Sequence, residues 1–136
     1  MTKMGDFDVS FKFQMTADPD TLSLLFAFGG SATAGLYCAI GLVSGDLKVQ
    51  LFATGLSPGV LHHTTTQTVG LAEQTVLITR RGLLYTLTVG GSSVSRMASN
   101  LGTDISPNNL IIGGWPSYSS IWDFVGTIRD FVVTKV

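Results

Sequence analysis

The stretch Phe7–Gln14, FDVSFKFQ, decides the fold class. Phe7, Val9, Phe11 and Phe13 alternate strictly with Asp8, Ser10, Lys12 and Gln14. In an extended chain successive side chains point to opposite faces, so this pattern makes a strand with one apolar and one polar side; a helix would scatter the four aromatic and aliphatic residues around its circumference. Working outward, Ala17–Asp20 (ADPD) is turn chemistry, and TLSLLFAFGG then runs apolar on nearly both faces, as a central strand covered from two sides would. GLYCAIGLV and LKVQLFATG flank Ser44-Gly45-Asp46, a hairpin spacing in which glycine supplies a positive φ. TVLITR and LYTLTV flank Arg81-Gly82 in the same way. NLIIGG and FVGTIRDFVVTKV complete the set. Short strands, connections of a few residues and no stretch of helical period predict an all-β chain of roughly eight to ten strands. So many two-faced or alternating strands fit two antiparallel sheets packed face to face, with the first and last strands as neighbours in one sheet so that each protects an edge of the other.

Composition bounds what such a sandwich does. The chain has 136 residues, enough for one domain spanning 1–136, of which 45% are hydrophobic and only 12% charged; globular domains usually carry about a quarter. Eight Lys/Arg, of which only Arg80 and Arg81 are adjacent, stand against nine Asp/Glu, leaving no basic stripe to neutralise a phosphate backbone, so nucleic acid is not an expected partner. The lone Cys38 sits in an apolar run, where a buried structural thiol is expected. MTKMGDFDVS turns polar and acidic at once, unlike a secretory signal, and no run reaches the roughly 20 apolar residues of a membrane span. The chain is then either not exported by that route or a domain of a longer one.

The order of these motifs resembles the laminin G-like domain, a jelly roll of the concanavalin A-like lectin class. The likeness is carried by FDVSFKFQ, LSLLFAFGG, GLYCAIGLVSGDLKVQL, TVLITRRGLLYTLTVGG, LIIGGWP and FVGTIRDFVV. It implies that Gly113, Gly114, Gly126, Ile128, Arg129 and Asp130 hold fold-determining positions, with Arg129 and Asp130 as a charge pair at a strand end. Departures are equally informative. Thr127 stands where secreted members often carry a disulfide cysteine, and the polar segment with a Trp-His pair is replaced by GLAEQT. No acidic residue occurs between Asp20 and Asp46, where the family's first calcium ligand would fall; a hard cation needs roughly six or more oxygens, some of them carboxylate. Neither metal nor other cofactor is expected.

Glycosidases on this architecture hold two carboxylates roughly 5–9 Å apart. Glu73 is the only glutamate and has no acidic neighbour within twenty residues, while the aspartates fall in turns, on the polar face of the first strand or near the last. No catalytic residues are assigned, and an enzyme is not expected. His62 and His63 are adjacent, so on a strand their rings point to opposite faces and do not converge on one ion; LHHTTTQT reads as a polar strand edge or loop. Arg80-Arg81-Gly82 reads as a solvated turn.

What remains is recognition. Trp115 follows the glycine pair at a position where the family leans an apolar residue on the sandwich, and its ring is expected in the core. Tyr118, Trp122 and Asp123 lie in SYSSIWD, a composition suited to a surface loop; with Trp115 they form the candidate ligand-contact set. The expected function is a non-enzymatic recognition or adhesion module that binds a glycan or protein surface through rim loops, at an extracellular or virion surface. The alternative is a structural virion or appendage subunit whose low-charge faces pack against copies of itself as a homo-oligomer.

Overall fold

The structure is a computed structural model, and it describes residues 5–16, 22–28, 36–44, 46–53, 60–64, 72–98, 110–113 and 124–136. Among these there is no helix. Ten strands follow in order: β1 (Phe7–Met15), β2 (Leu22–Phe28), β3 (Leu36–Val43), β4 (Asp46–Ala53), β5 (Val60–Thr64), β6 (Gln74–Arg81), β7 (Leu84–Val89), β8 (Ser92–Met97), β9 (Ile111–Ile112) and β10 (Gly126–Lys135). They form two five-stranded antiparallel sheets, β10-β1-β6-β7-β8 and β5-β4-β3-β2-β9. The expected two-sheet sandwich is present, and the first strand lies beside the last, with Phe7 opposite Lys135 and Met15 opposite Gly126.

β1 behaves as its alternation requires. Phe7, Val9, Phe11, Phe13 and Met15 are at most 3% exposed, while the residues between them are half-buried. Their face joins a core that takes Leu25, Phe26, Leu36, Cys38 and Ile40 from the second sheet and Val76, Ile78, Tyr85 and Leu87 from the first. Phe11 is the hub: its ring meets Phe26 edge-on at 5.6 Å and stacks on Phe131 at 5.6 Å. Such pairs add about 0.5–1.5 kcal/mol each beyond area burial. Cys38 is buried as expected, and burial pushes its thiol pKa far above the ordinary value.

Two bulges rescue strands whose alternation breaks. In β2, Leu24 pairs with Ala39 and Phe26 with Cys38, so Leu25 is an inserted residue. Leu25 and Phe26 both enter the main core, whereas Leu24 and Ala27 join Ala39 in a second cluster on the other face, flanked by Tyr37. All four residues Leu24–Ala27 are fully buried, as a strand covered from two sides requires. In β10, Val132 pairs with Ser10 and Arg129 with Lys12, leaving Asp130 and Phe131 opposite Phe11. Asp130 takes φ +55°, a left-handed conformation that Asp tolerates better than most residues. The insertion keeps Asp130 out of the core and turns Phe131 into it. Arg129 and Asp130 are a charge pair as expected, Nη1 to Oδ2 at 3.3 Å, but they sit in a mid-strand bulge and not at a strand end.

The turns follow their chemistry with two adjustments. The β3–β4 hairpin closes with Val43 opposite Asp46, and Ser44 itself takes φ +52°. The β6–β7 hairpin closes one residue later than the sequence suggests: Arg81 is the last strand residue, opposite Leu84, and Gly82 turns at φ +60°. A third hairpin, β7–β8, turns on Gly90 (+58°) and Gly91 (+87°). Its second strand, SSVSRM, has one partly apolar pair, Val94 and Met97, and little to mark it in the sequence. The predicted turn Ala17–Asp20 and the fold position Gly114 lie outside the described residues.

Candidate functional site

The rim of the sandwich around β9 is built by three backbone hydrogen bonds. Gly113 N–H donates to Leu25 O at 2.9 Å, which ties the end of β9 to the β2 bulge. Phe124 N–H donates to Gly113 O at 2.8 Å. Thr16 N–H donates to Val125 O at 3.2 Å, which anchors the start of β10 to the end of β1. Residues 114–123 thus connect two positions that hydrogen bond to each other, so both ends of the connection are fixed on one stem.

Glycines make the stem possible. Gly113 sits at φ +85°. Gly126 sits at φ +155°, and a β-carbon there would collide with Gln14 O and crowd the ring of Phe124. Phe124 is the side-chain anchor, edge-on to Phe13 at 6.1 Å and half-buried against the core. Around the stem, Leu110, Ile112 and Val125 are 37%, 46% and 55% exposed. Three large aliphatic side chains beside one loop base are thus open to water.

The four candidate contact residues, Trp115, Tyr118, Trp122 and Asp123, lie outside the described residues, on the connection this stem closes. Sequence reasoning located that connection but missed its closure, because nothing in the residue types announces a bond between Gly113 and Phe124. It also missed Phe124 as an anchor, having assigned it to the final strand. A second aromatic feature was legible but passed over: Tyr37 and Phe52 stack at 5.0 Å on the outer face of the second sheet. They stand directly opposite each other, equidistant from the Ser44-Gly45 turn.

The remaining polar candidates are placed as follows. His62 and His63 lie on β5, in register with Gln50 and Val49. The Arg80-Arg81 pair is not a solvated turn. Arg80 points inward at 4% exposure, its Nε donates to Gly82 O at 3.2 Å, and its guanidinium lies 5.7 Å from the Tyr85 ring centroid. Burial raises the Tyr85 pKa, partly offset by that nearby positive charge. Arg81 pairs with Asp8 at 2.8 Å and donates to Phe7 O and Arg80 O.

Glu73 has a cationic partner that its sequence neighbourhood does not reveal. Both oxygens accept from Arg129, Nε to Oε2 and Nη2 to Oε1, each at 2.6 Å. The hydrogen bond from Arg129 holds the Glu73 carboxyl below its usual range, against a smaller opposing effect of desolvation and with help from the charges of Arg129 and Lys12. A glycosidase acid needs the reverse, a carboxyl kept protonated near neutrality. Among the described residues, no three of His, Cys, Asp and Glu gather as a metal site would need.

The laminin G domain family matches over residues 16–136, nearly the whole chain. The chain belongs to this family. Solved structures agree on the fold. The native heptameric SAP-like pentraxin from Limulus polyphemus superposes with a TM-score of 0.68 at 12% identity, covering 98% of this chain and 66% of that one. Domains LG4-5 of the mouse laminin alpha1 chain give 0.67 at 20% identity over 98% of this chain and 37% of that one. The CBM40 of the Ruminococcus gnavus IT-sialidase, bound to alpha2,3 sialyllactose, gives 0.70 at 15% identity over 98% and 78%. These likenesses establish this laminin G domain as a jelly roll. The chain spans about two-thirds of the pentraxin chain and about a third of the laminin one. No curated protein sequence matches it.

Proposed function

We propose that this laminin G domain is a non-catalytic recognition module that binds a glycan or a protein surface through the rim connection 114–123. The observation that carries the reading is the closed stem: Gly113 and Phe124 hydrogen bond across the base of a connection holding two tryptophans, a tyrosine and an aspartate. A connection fixed at both ends loses less conformational freedom on binding than a free one. Its aromatics supply large contact area for a sugar face or a partner's pocket. Tyr118 and Trp122 are the contact residues, and Asp123 accepts hydrogen bonds from hydroxyl or amide donors. In this reading Trp115, which follows Gly113-Gly114 in the sequence, serves stability rather than contact. The exposed Ile112 and Val125 extend the contact surface at its base.

Family membership and the bidentate capture of Glu73 by Arg129 support a non-catalytic role. The sialyllactose bound to the Ruminococcus gnavus CBM40, a relative in fold, favours a glycan as the first ligand class to try. An extracellular or virion-surface setting suits such a module, since laminin G domains are typically extracellular.

A glycan array followed by titration calorimetry tests the proposal. Tyr118→Ala and Trp122→Ala should abolish or weaken binding by tenfold or more while leaving the melt nearly intact. Trp115→Ala should cost about 3–5 kcal/mol of stability, as removal of a buried large aromatic does. Undiminished binding in both Tyr118→Ala and Trp122→Ala would move the site away from this rim.

A further inference from the structure

The outer face of the β10-β1-β6-β7-β8 sheet presents alternate residues of five strands. Its middle carries no charge. Thr86 and Ser95 hydroxyls bond to each other at 2.9 Å, and Thr88 and Ser93 hydroxyls at 2.7 Å, across the β7–β8 pair. Leu77 stands beside Thr88 on β6, 37% exposed, and Val132, 51% exposed, lies in the same row on β10 beyond Ser10. At one corner Leu84 and Met97 sit opposite each other, 38% and 59% exposed. The charges of this face lie toward its two ends and are paired within the chain: Asp8 with Arg81 at 2.8 Å at one end, Lys12 with Asp130 at 3.9 Å and Arg129 with Glu73 at 2.6 Å at the other.

From this layout we infer that the face is an interface for a second copy of the same chain, packed sheet against sheet. An apolar and neutral centre inside a charged rim is the usual anatomy of a protein interface. Each bonded hydroxyl pair satisfies one donor and one acceptor within the chain, which lowers the cost of removing water from the face. Its internally paired charges create no single-sign field that would repel a copy or select an acidic or basic partner. The area is sufficient. Strands of six to ten residues rising about 3.3 Å per residue, five abreast at about 4.8 Å, give roughly 600 Å² per copy. A pair then buries about 1,200 Å², the lower end for a specific interface and consistent with a concentration-dependent dimer. The inference is independent of the rim reading, since the two surfaces use different residues.

Sedimentation equilibrium over a concentration series is the direct test. The expected result is a mass that rises from 14.4 kDa toward twice that value. Leu77→Lys places an unpaired charge at the centre of the face and should weaken association about tenfold or more, with unchanged circular dichroism and glycan-array binding. Should Leu77→Lys fail to fold, Met97→Lys serves the same purpose. Val133→Lys, on the opposite side of β10, should dimerise as the wild type does. A wild type that stays at 14.4 kDa throughout overturns the inference. So does a dimer indifferent to the folded lysine variants on the face, or one broken by Val133→Lys alone, which would indicate pairing through the β10 edge.

Discussion

β1 and β10 lie side by side in one sheet, yet only one of them follows a simple rule. β1 is flanked on both sides, and every second residue is buried without exception. β10 is an edge strand: none of its residues is fully buried, it starts on a glycine at φ +155° and it bulges at an aspartate in the left-handed region. The interior strand is specified by side-chain alternation. The edge strand is specified by backbone: a glycine that clears Gln14 O, and an extra residue that aims Phe131 at Phe11 and Phe26. Bulges and charges are also what protects an edge from pairing with the wrong chain, and β10 has both at Arg129-Asp130.

The contrast is sharpest in what each strand tolerates. Phe11→Ala should cost about 3–5 kcal/mol in chemical denaturation, the range for deleting a buried aromatic, and Phe131→Ala distinctly less, because its ring is only half-buried. Equal losses would mean that the edge strand is core in energetic terms. Gly126→Ala should follow, at about 1–3 kcal/mol for forced backbone strain with the collision against Gln14 O added; a neutral result would show that β10 can start elsewhere. Asp130→Val should cost about 1–2 kcal/mol for a branched residue held left-handed, whereas Asp130→Gly should be neutral or better in the same thermal melts.

The smallest effect belongs to Glu73→Gln. The Glu73 carboxyl is held below its unfolded value, so its contribution to stability is present above the ordinary carboxylate range and fades as the pH falls through the lowered folded value. The variant should therefore melt slightly below the wild type at neutral pH and converge with it once the pH has fallen below the lowered folded value. The gap at neutral pH should narrow in high salt, since the pair is largely solvent-exposed. A gap that persists in acid would assign the loss to packing.

The same distinction between side-chain pattern and backbone device governs what the sequence disclosed. Alternation in FDVSFKFQ was enough to place β1 and its face, and the glycine-marked hairpins placed β3, β6, β7 and the start of β4 to within a residue. The β6–β7 turn slipped by one because Arg81 can either end a strand or begin a turn, and only its pairing with Leu84 decides. The bulges at Leu25 and Asp130 were illegible because each depends on a partner strand far away in sequence. The Arg129–Glu73 pair was illegible for the same reason, spanning 56 residues. The candidate contact residues were legible only as a composition. The stem beneath them, a bond between two peptide groups, leaves no mark in the residue types.

The pairing of β1 with β6 and β10 also has a consequence in time. The hairpins β3–β4 and β6–β7–β8 close over two-residue turns and can form as soon as they are synthesised. β1 is made first, but both of its partners come much later, and Phe7 meets Lys135 only when nearly all of the chain exists. Contacts of such long sequence separation slow folding. During translation the Phe7–Met15 strand must therefore wait with its apolar face uncovered, the stage at which this chain is most exposed to aggregation and most dependent on whatever shields a nascent polypeptide.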